Sequence, residues 1–492
     1  MKFNTLSLSV MMMGTLASAA SLQAHASGYH FGTQSVSAQA TANASAAEAT
    51  DATTLFYNPA GMTRLKGTHF SGALNLVMPS VKYNNARASY PTQPYAAQPL
   101  PNGMTLPAGL NRSTAINGTT SGKLTDDLIA VPHMYLTHQL NDRITLGVGV
   151  YVPYASETEY QRDSVLRYNV NQTSLKTIDI NPTVAFKLND QHSLAVGVIA
   201  QHAEASLRQY ANFGGSANPA LNSLMSGVGG GHGNSDGYAD VEGKDWGFGY
   251  TLGWMWEIDP TARVGLAYRS AIKHTLTGTA DWTTPSTLAG QAAAARGYID
   301  SDAKVNIKTP ESLSLHGFKQ LDSKWAVMGD ITWTRHSRFD SLSINYSQPK
   351  SAPFSASNFA GQTTDKTTLV PQWKNSMKVA IGGTYQYSAP LQLRFGVAYD
   401  QSPVPDEEHR LSTMPDNDRI WLSFGGKYDL SKTSSINVAY SYIHIKDSTA
   451  KVNGYCGGAT AGAVNCVSSY TAGQADYKSH AHILGVQYNH QF

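Results

Sequence analysis

From Gly67 onward, apolar and polar positions alternate with a period of two. In LQLRFGVAYD, Leu391, Leu393, Phe395, Val397 and Tyr399 share one face, while Gln392, Arg394, Gly396, Ala398 and Asp400 share the other. WGFGYTLGWMWE repeats this, with Trp246, Phe248, Tyr250, Leu252, Trp254 and Trp256 on its apolar face. WAVMGDITWT begins and ends its apolar face with Trp325 and Trp333. Strict alternation marks strands with two different faces. Here one face is apolar with aromatic ends, and the other is small or polar. A soluble sandwich would bury the apolar face; an outer-membrane barrel would give it to lipid, with aromatic belts at both interfaces.

The connections decide between these. Tight polar turns recur at Asn141, Asn189, Asp259, Asp322, Ser388 and Leu430. Between them run long Gly-, Ser- and Asn-rich stretches at 84–128, 155–172, 209–245, 275–303, 337–372, 401–417 and 447–476. Short turns on one side and long loops on the other are typical of bacterial barrels. About fourteen strands follow, and a sheet in lipid must close to pair its backbone. The final HILGVQYNHQF alternates and ends on Phe492. The predicted fold is all-β: a transmembrane antiparallel barrel of about fourteen strands.

The first residues change the compartment. Lys2 precedes an apolar run, and AHA at 24–26 has the small-x-small form of a signal-peptidase site. Residues 1–26 therefore read as a signal peptide and Ser27 as the mature start. The apolar run is shorter than the ~20 residues a spanning helix needs.

Composition excludes other classes. Lys and Arg total 36 against 34 Asp and Glu, so no basic face calls for nucleic acid. Mean hydropathy is −0.29, too polar for a bundle of membrane helices. The sixteen His follow no metal-ligand spacing, and no Ser/His pair with an orienting group suggests a hydrolase, so neither metal, cofactor nor enzyme activity is expected. Cys456 and Cys466, nine residues apart in an exported chain, suit a disulfide within the last outer loop.

Fourteen strands enclose more space than wall side chains fill. Residues 27–66 precede the first strand, lack alternation and are rich in Ala, Ser and Thr. Asn58 can cap a helix and Pro59 suits a first helical turn. This segment reads as a partly helical plug, ahead of a barrel at 67–492.

Four stretches in order carry a family likeness: GYHFGTQSVSAQATANA, TLFYNPAGMTRL, DWGFGYTLGWMWEIDPTARVGLAYRS and YDQSPVPDEEHRLSTMPDNDRIWLSFGGKY. The chain resembles the FadL-type outer-membrane transporters of hydrophobic compounds along nearly its whole mature length. The resemblance implies a bacterial outer-membrane channel for passive uptake of long-chain fatty acids or, in a second branch, aromatic hydrocarbons. It implies an N-terminal hatch bearing Asn58, Pro59 and Ala60, whose mobile start at Tyr29 and Phe31 is displaced by cargo. It also implies sideways exit at a kinked third strand, here ITLGVGVYVPY. Gly147, Gly149 and Pro153 either weaken pairing there or, for the glycines, make room for the hatch. General porin and adhesin remain more distant readings.

A fatty-acid carboxylate needs a cation. By strand parity Lys374, Lys378 and Arg269 point inward, as cargo contacts or as ordinary lumen charges. Gln209 stands where fatty-acid members carry a ligand-facing Arg, and Arg208 sits one position off with outward parity. That departure raises the hydrocarbon reading. The apolar 221–228 either meets cargo or packs on a neighbouring loop. Expected partners are a hydrophobic small molecule, outer-membrane lipid and lipopolysaccharide, and the barrel-assembly machinery, with the chain a monomer.

Overall fold

The computed structural model describes residues 32–90, 93–95, 97–99, 103–111, 113–125, 128–214, 233, 235–351, 363–453 and 471–492. The signal segment, Tyr29, Phe31, residues 221–228, Cys456 and Cys466 lie outside them.

Fourteen antiparallel wall strands form the barrel among the described residues. β1 is Thr68–Tyr90, β2 Ile129–Gln139, β4 Gln172–Lys187, β5 His192–Asn212 and β6 Asp236–Asp259. β11 is Leu391–Asp400, β12 Arg419–Asp429, β13 Ser434–Asn453 and β14 Ala472–Gln491. The other five are each interrupted. β3 is Ile144–Tyr151 and Ala155–Glu159; β7 is Ala262–Arg269 and Ile272–Thr283; β8 is Ser301–Thr309 and Ser312–Gln320. β9 is Trp325–Thr334 and Leu342–Ser351; β10 is Thr363–Leu369 and Ser376–Gln386. The barrel closes where β1 pairs with β14, from His69↔Gln491 to Ser89↔Ala472. Phe492 follows the last strand, and its N–H donates to the Thr68 carbonyl at 2.9 Å.

The six tight turns fall where the polar dipeptides stand. Three are held alike, by an Asn or Asp side-chain oxygen that accepts from the amide three residues on. Asn141 Oδ1 accepts from the Ile144 amide at 3.0 Å, Asn189 Oδ1 from His192 at 2.8 Å, and Asp322 Oδ1 from Trp325 at 2.8 Å. The strands at the opposite end run further than the alternation suggests: β1 reaches Tyr90 and β14 begins at Ala472, so much of what reads as loop is sheet.

The outward face is apolar and exposed, with Phe248 71% and Val198 55% accessible. Such a surface is costly in water and favourable in lipid. Aromatic side chains bound it. His192, Trp254 and Trp256 stack near the tight-turn end, and His202 packs on Trp246 near the other. His192 and His202 lie ten residues apart on β5, the length of one tilted membrane-spanning strand of about 9–11 residues.

Residues 32–66 form short helices, α1 Val36–Gln39 and α2 Thr54–Tyr57, and a 3-10 turn Pro59–Arg64. Val36, Leu55, Ala60 and Met62 are fully buried against inward-facing wall residues.

Candidate functional site: linked cavities inside the barrel

The Asn-Pro-Ala turn is seated by side-chain chemistry. Asn58 Oδ1 accepts from the Ala60 amide at 3.0 Å, while Pro59 needs no partner for an absent N–H. Asn58 Nδ2 donates to the Trp254 carbonyl at 2.9 Å and lies 2.8 Å from His316 Nε2. Gly253 and Gly265 make that approach possible, since a β-carbon on either would stand 2.5 Å from an Asn58 side-chain atom. Gly147 does the same below, where a β-carbon would meet Met62 Sδ at 2.5 Å and Leu55 Cδ1 at 2.7 Å. At Gly149 it would meet Tyr135 Cδ1 at 2.9 Å and Leu55 Cδ2 at 3.1 Å. These two glycines therefore leave room for residues 55 and 62 of the N-terminal segment; the ladder beside them is intact.

Charged anchors hold the segment from the other side. Arg394 forks onto both Glu48 carboxylate oxygens at 2.8 Å, and Arg263 donates to the Glu48 carbonyl at 2.7 Å. Gln487 Oε1 accepts from the Val36 amide at 2.8 Å, and its Nε2 donates to Asp51 at 3.0 Å. Sequence reasoning did not single out these residues. Their signal was a large polar side chain on an inward position facing a segment with Glu48 and Asp51.

Above the segment lies a cavity of about 1240 Å³, counting its open mouth. It forms where five wall strands lose their ladder. Pro153, Arg269, Ser312, Thr334, Trp373 and Ser376, beside those interruptions, all line it. Two of its three central cations are committed. Arg269 donates to Asp179 at 2.8 Å and to the Tyr151 hydroxyl at 2.7 Å. Arg419 donates to Asp400 at 3.1 Å and Asp416 at 2.8 Å. Lys378 differs: its Nζ lies 4.3 Å above the Trp421 ring. Among the described residues no carboxylate is within ion-pairing distance of it.

Lys374 departs from expectation. It lies in the non-strand stretch 370–375, exposed, so strand parity does not reach it, and it does not line the cavity. Arg208 faces outward, bound to Asp240 at 2.6 Å and Glu159 at 2.9 Å, and so is turned away from the lumen. Gln209 Nε2 donates to the Tyr168 carbonyl at 2.9 Å and lines no described cavity.

Two more cavities continue toward the long-loop end. The outer one, about 1020 Å³ with its mouth, is lined by Leu207, Val241, Leu276, Ile344, Leu411 and Met414. The middle one, about 660 Å³, is lined by Val77, Val81, Trp421, Ile443, Ile445 and Ile483. Outer and middle share Ser156 and Met414; middle and inner share Asp416 and Arg419. The partition is the β11–β12 connection, which folds inward and buries Leu411 to 4% and Thr413 to 2%. The Tyr160 hydroxyl donates to its Ser412 carbonyl at 2.7 Å, and Arg410 to its Asp416 carbonyl at 2.9 Å.

The β2–β3 ladder parts beside these cavities. β2 and β3 pair only up to Met134↔Val150. Val152 and Pro153 leave the sheet, and Ala155–Glu159 then pairs with β4. Pro153, at the break, has no N–H to offer a ladder. The described start of the N-terminal segment touches this break. Gln34 Nε2 donates to the Val152 carbonyl at 3.2 Å, and the Tyr135 hydroxyl donates to the Gln34 carbonyl at 2.8 Å.

Residues 17–492 match the family described as outer membrane protein transport protein (OMPP1/FadL/TodX). A protein of Neisseria meningitidis serogroup B, named only as an outer membrane protein, is 44% identical over 99% of both chains. The long-chain fatty acid transport protein of Escherichia coli K12 is 28% identical over 67% of this chain and 75% of its own. A solved FadL homologue of Pseudomonas aeruginosa superimposes with a TM-score of 0.76 at 21% identity, covering 94% of this chain and 100% of that one. A closed barrel with a lipid-facing outer surface, and a family match over almost its full length, lead to one conclusion: the chain belongs to the FadL/TodX family, outer-membrane transporters of hydrophobic compounds that are not enzymes.

Proposed function

We propose that the chain carries long-chain fatty acids passively through the outer membrane. The observation that carries this is Lys378, which has no carboxylate within ion-pairing distance among the described residues: Asp400, opposite it on β11, is taken by Arg419, while Arg269 is paired with Asp179. A fatty-acid carboxylate at Lys378 would gain a charge-assisted hydrogen bond of about 1.5–3 kcal/mol. Its chain would lie in the middle cavity, gaining about 25 cal/mol per Å² of apolar surface removed from water. The fatty acid transport protein among the relatives favours the same cargo.

The route runs from the outer cavity past the in-folded partition to the inner one. Residues 27–66 act as the hatch, and 67–492 as the barrel around it. Cargo at Lys378 displaces the segment ahead of Gln34, where Tyr29 and Phe31 lie. Gln34 releases Val152 and Tyr135, and cargo leaves sideways between β2 and β3 at Pro153. Single barrels inserted by the assembly machinery suffice for this. Aromatic hydrocarbon is the second reading, favoured by Gln209, an uncharged side chain tied to Tyr168.

A deletion strain complemented with this chain tests the cargo. Growth restored on oleate but not on toluene-type carbon supports the fatty-acid reading; the reverse result favours hydrocarbon. Deleting residues 27–31 should alter uptake while leaving the barrel folded, and unchanged uptake kinetics would count against gating by that segment.

A further inference from the structure

At the barrel seam the outward face changes in order from the membrane centre to the long-loop end. Leu74, Leu484 and Val486 are exposed and apolar. Tyr440, Tyr442 and His482 follow, with the Tyr440 hydroxyl 2.6 Å from His482 Nδ1. His480, directly opposite His444, comes next. It lies ten residues from His490, the same spacing as His192 to His202, which sets it at the outer belt. Two positions further, Lys82 and Lys478 stand directly opposite each other, both exposed.

Like charges facing each other across a strand pair repel. On β5 and β6 the charged opposite pairs are complementary, Glu204↔Lys244 and Arg208↔Asp240. At the seam the local acids do not answer the lysines. Among the described residues no carboxylate lies within ion-pairing distance of Lys82. Asp447 is 3.9 Å from Lys478, with both side chains more than 60% exposed, a geometry that contributes little. Asp476 accepts from Asn85 at 2.9 Å and Thr449 at 2.8 Å.

We propose that Lys82 and Lys478, flanked by His444 and His480, bind the phosphate of an outer-leaflet phosphoglycolipid of the lipid A class. Its acyl chains run down the wall over Met78, Leu74 and Leu484. The vertical order of the side chains selects this occupant: cations at headgroup height, an aromatic and imidazole belt beneath, and an apolar track below that. Inorganic phosphate would use only the first of these. The anion relieves the lysine repulsion, and lysine is a common phosphate partner. The site lies on the lipid face and is separate from the transport route.

The test uses the full-length protein in detergent, stripped of lipid and titrated with diphosphoryl lipid A, with bound lipid counted by native mass spectrometry. K82Q/K478Q should weaken binding about tenfold or more. K273Q/K308Q removes an exposed opposed lysine pair elsewhere on the wall, on β7 and β8, and should change binding by less than about twofold. Lipid A without phosphates should bind wild type as weakly as diphosphoryl lipid A binds the seam variant, and millimolar inorganic phosphate should not displace the lipid. Wild-type affinity in K82Q/K478Q, equal losses in both double variants, equal binding of dephosphorylated lipid, or displacement by inorganic phosphate would each overturn the proposal. A heat-dependent gel shift reports folding. Should the seam variant not fold, photoreactive lipid A on wild type must label peptides holding 78–82 or 478–482, and labelling elsewhere overturns it.

Discussion

A β-carbon on Gly253 would lie 2.5 Å from Asn58 Oδ1 and 2.9 Å from the Ala60 nitrogen. The wall and the N-terminal segment are thus fitted atom to atom: a barrel glycine admits the Asn-Pro-Ala turn, and Asn58 in turn bonds the Trp254 carbonyl beside it. Gly253→Val should therefore unseat the turn, at a cost of about 1–3 kcal/mol from overpacking. The expected result is open-channel conductance in planar bilayers where wild type is closed. Gly317→Ala is the control, because its nearest neighbour would be 3.7 Å away. Equal conductance in Gly253→Val and wild type would show that the turn does not seal the lumen.

The Arg269–Asp179 pair is buried, with side-chain exposures of 11% and 0%. Removing one partner leaves the other charge without an answer. Arg269→Ala should destabilise the barrel by about 3–5 kcal/mol, and Arg269→Met with Asp179→Leu should recover most of that. Thermal unfolding followed by the heat-dependent gel shift measures both. No recovery in the double variant would mean that Arg269 serves something beyond Asp179.

Tyr160 ties the in-folded partition to the upper rim of the β2–β3 break through Ser412 and lies 2.5 Å, oxygen to oxygen, from Tyr477. Tyr160→Phe keeps the ring and removes the hydroxyl, a loss of about 0.5–1.5 kcal/mol. The partition should then open more often, and a Glu-specific protease should cut at Glu407 or Glu408 about two- to tenfold faster. An unchanged cleavage rate would mean that the partition's other hydrogen bonds, such as Thr158 to the Thr413 carbonyl, hold it without Tyr160.

The wall was legible because lipid imposes strict alternation: Leu393, Phe395 and Val397 can face only outward, and Asn141, Asn189 and Asp322 bond their own turns. Parity fails wherever the ladder breaks. Lys374 lies in a non-strand stretch ahead of Ser376, so strand parity misplaces it, whereas Arg269 and Lys378 belong to strands and line the inner cavity. The glycines of β3 allowed two readings, because flexibility and close approach both need a missing side chain; contact with Leu55 and Met62 decides for close approach. Pro310 and Glu311, which break β8 beside the inner cavity, were invisible as a site. Their role depends on Arg335 and Arg338, which reach Glu311 at 3.1 and 2.7 Å from a distant segment.

The central claim is that Lys378 receives a carboxylate, and the direct measurement compares oleate with methyl oleate on Lys378→Gln. The two ligands share their chain and differ in charge, so apolar burial cancels between them. Wild type should prefer oleate. Lys378→Gln should bind oleate about ten- to a hundredfold more weakly, the ester within about twofold of wild type, and Lys374→Gln should change neither. Undiminished oleate binding by Lys378→Gln would contradict the account and leave a neutral hydrocarbon as the cargo to pursue.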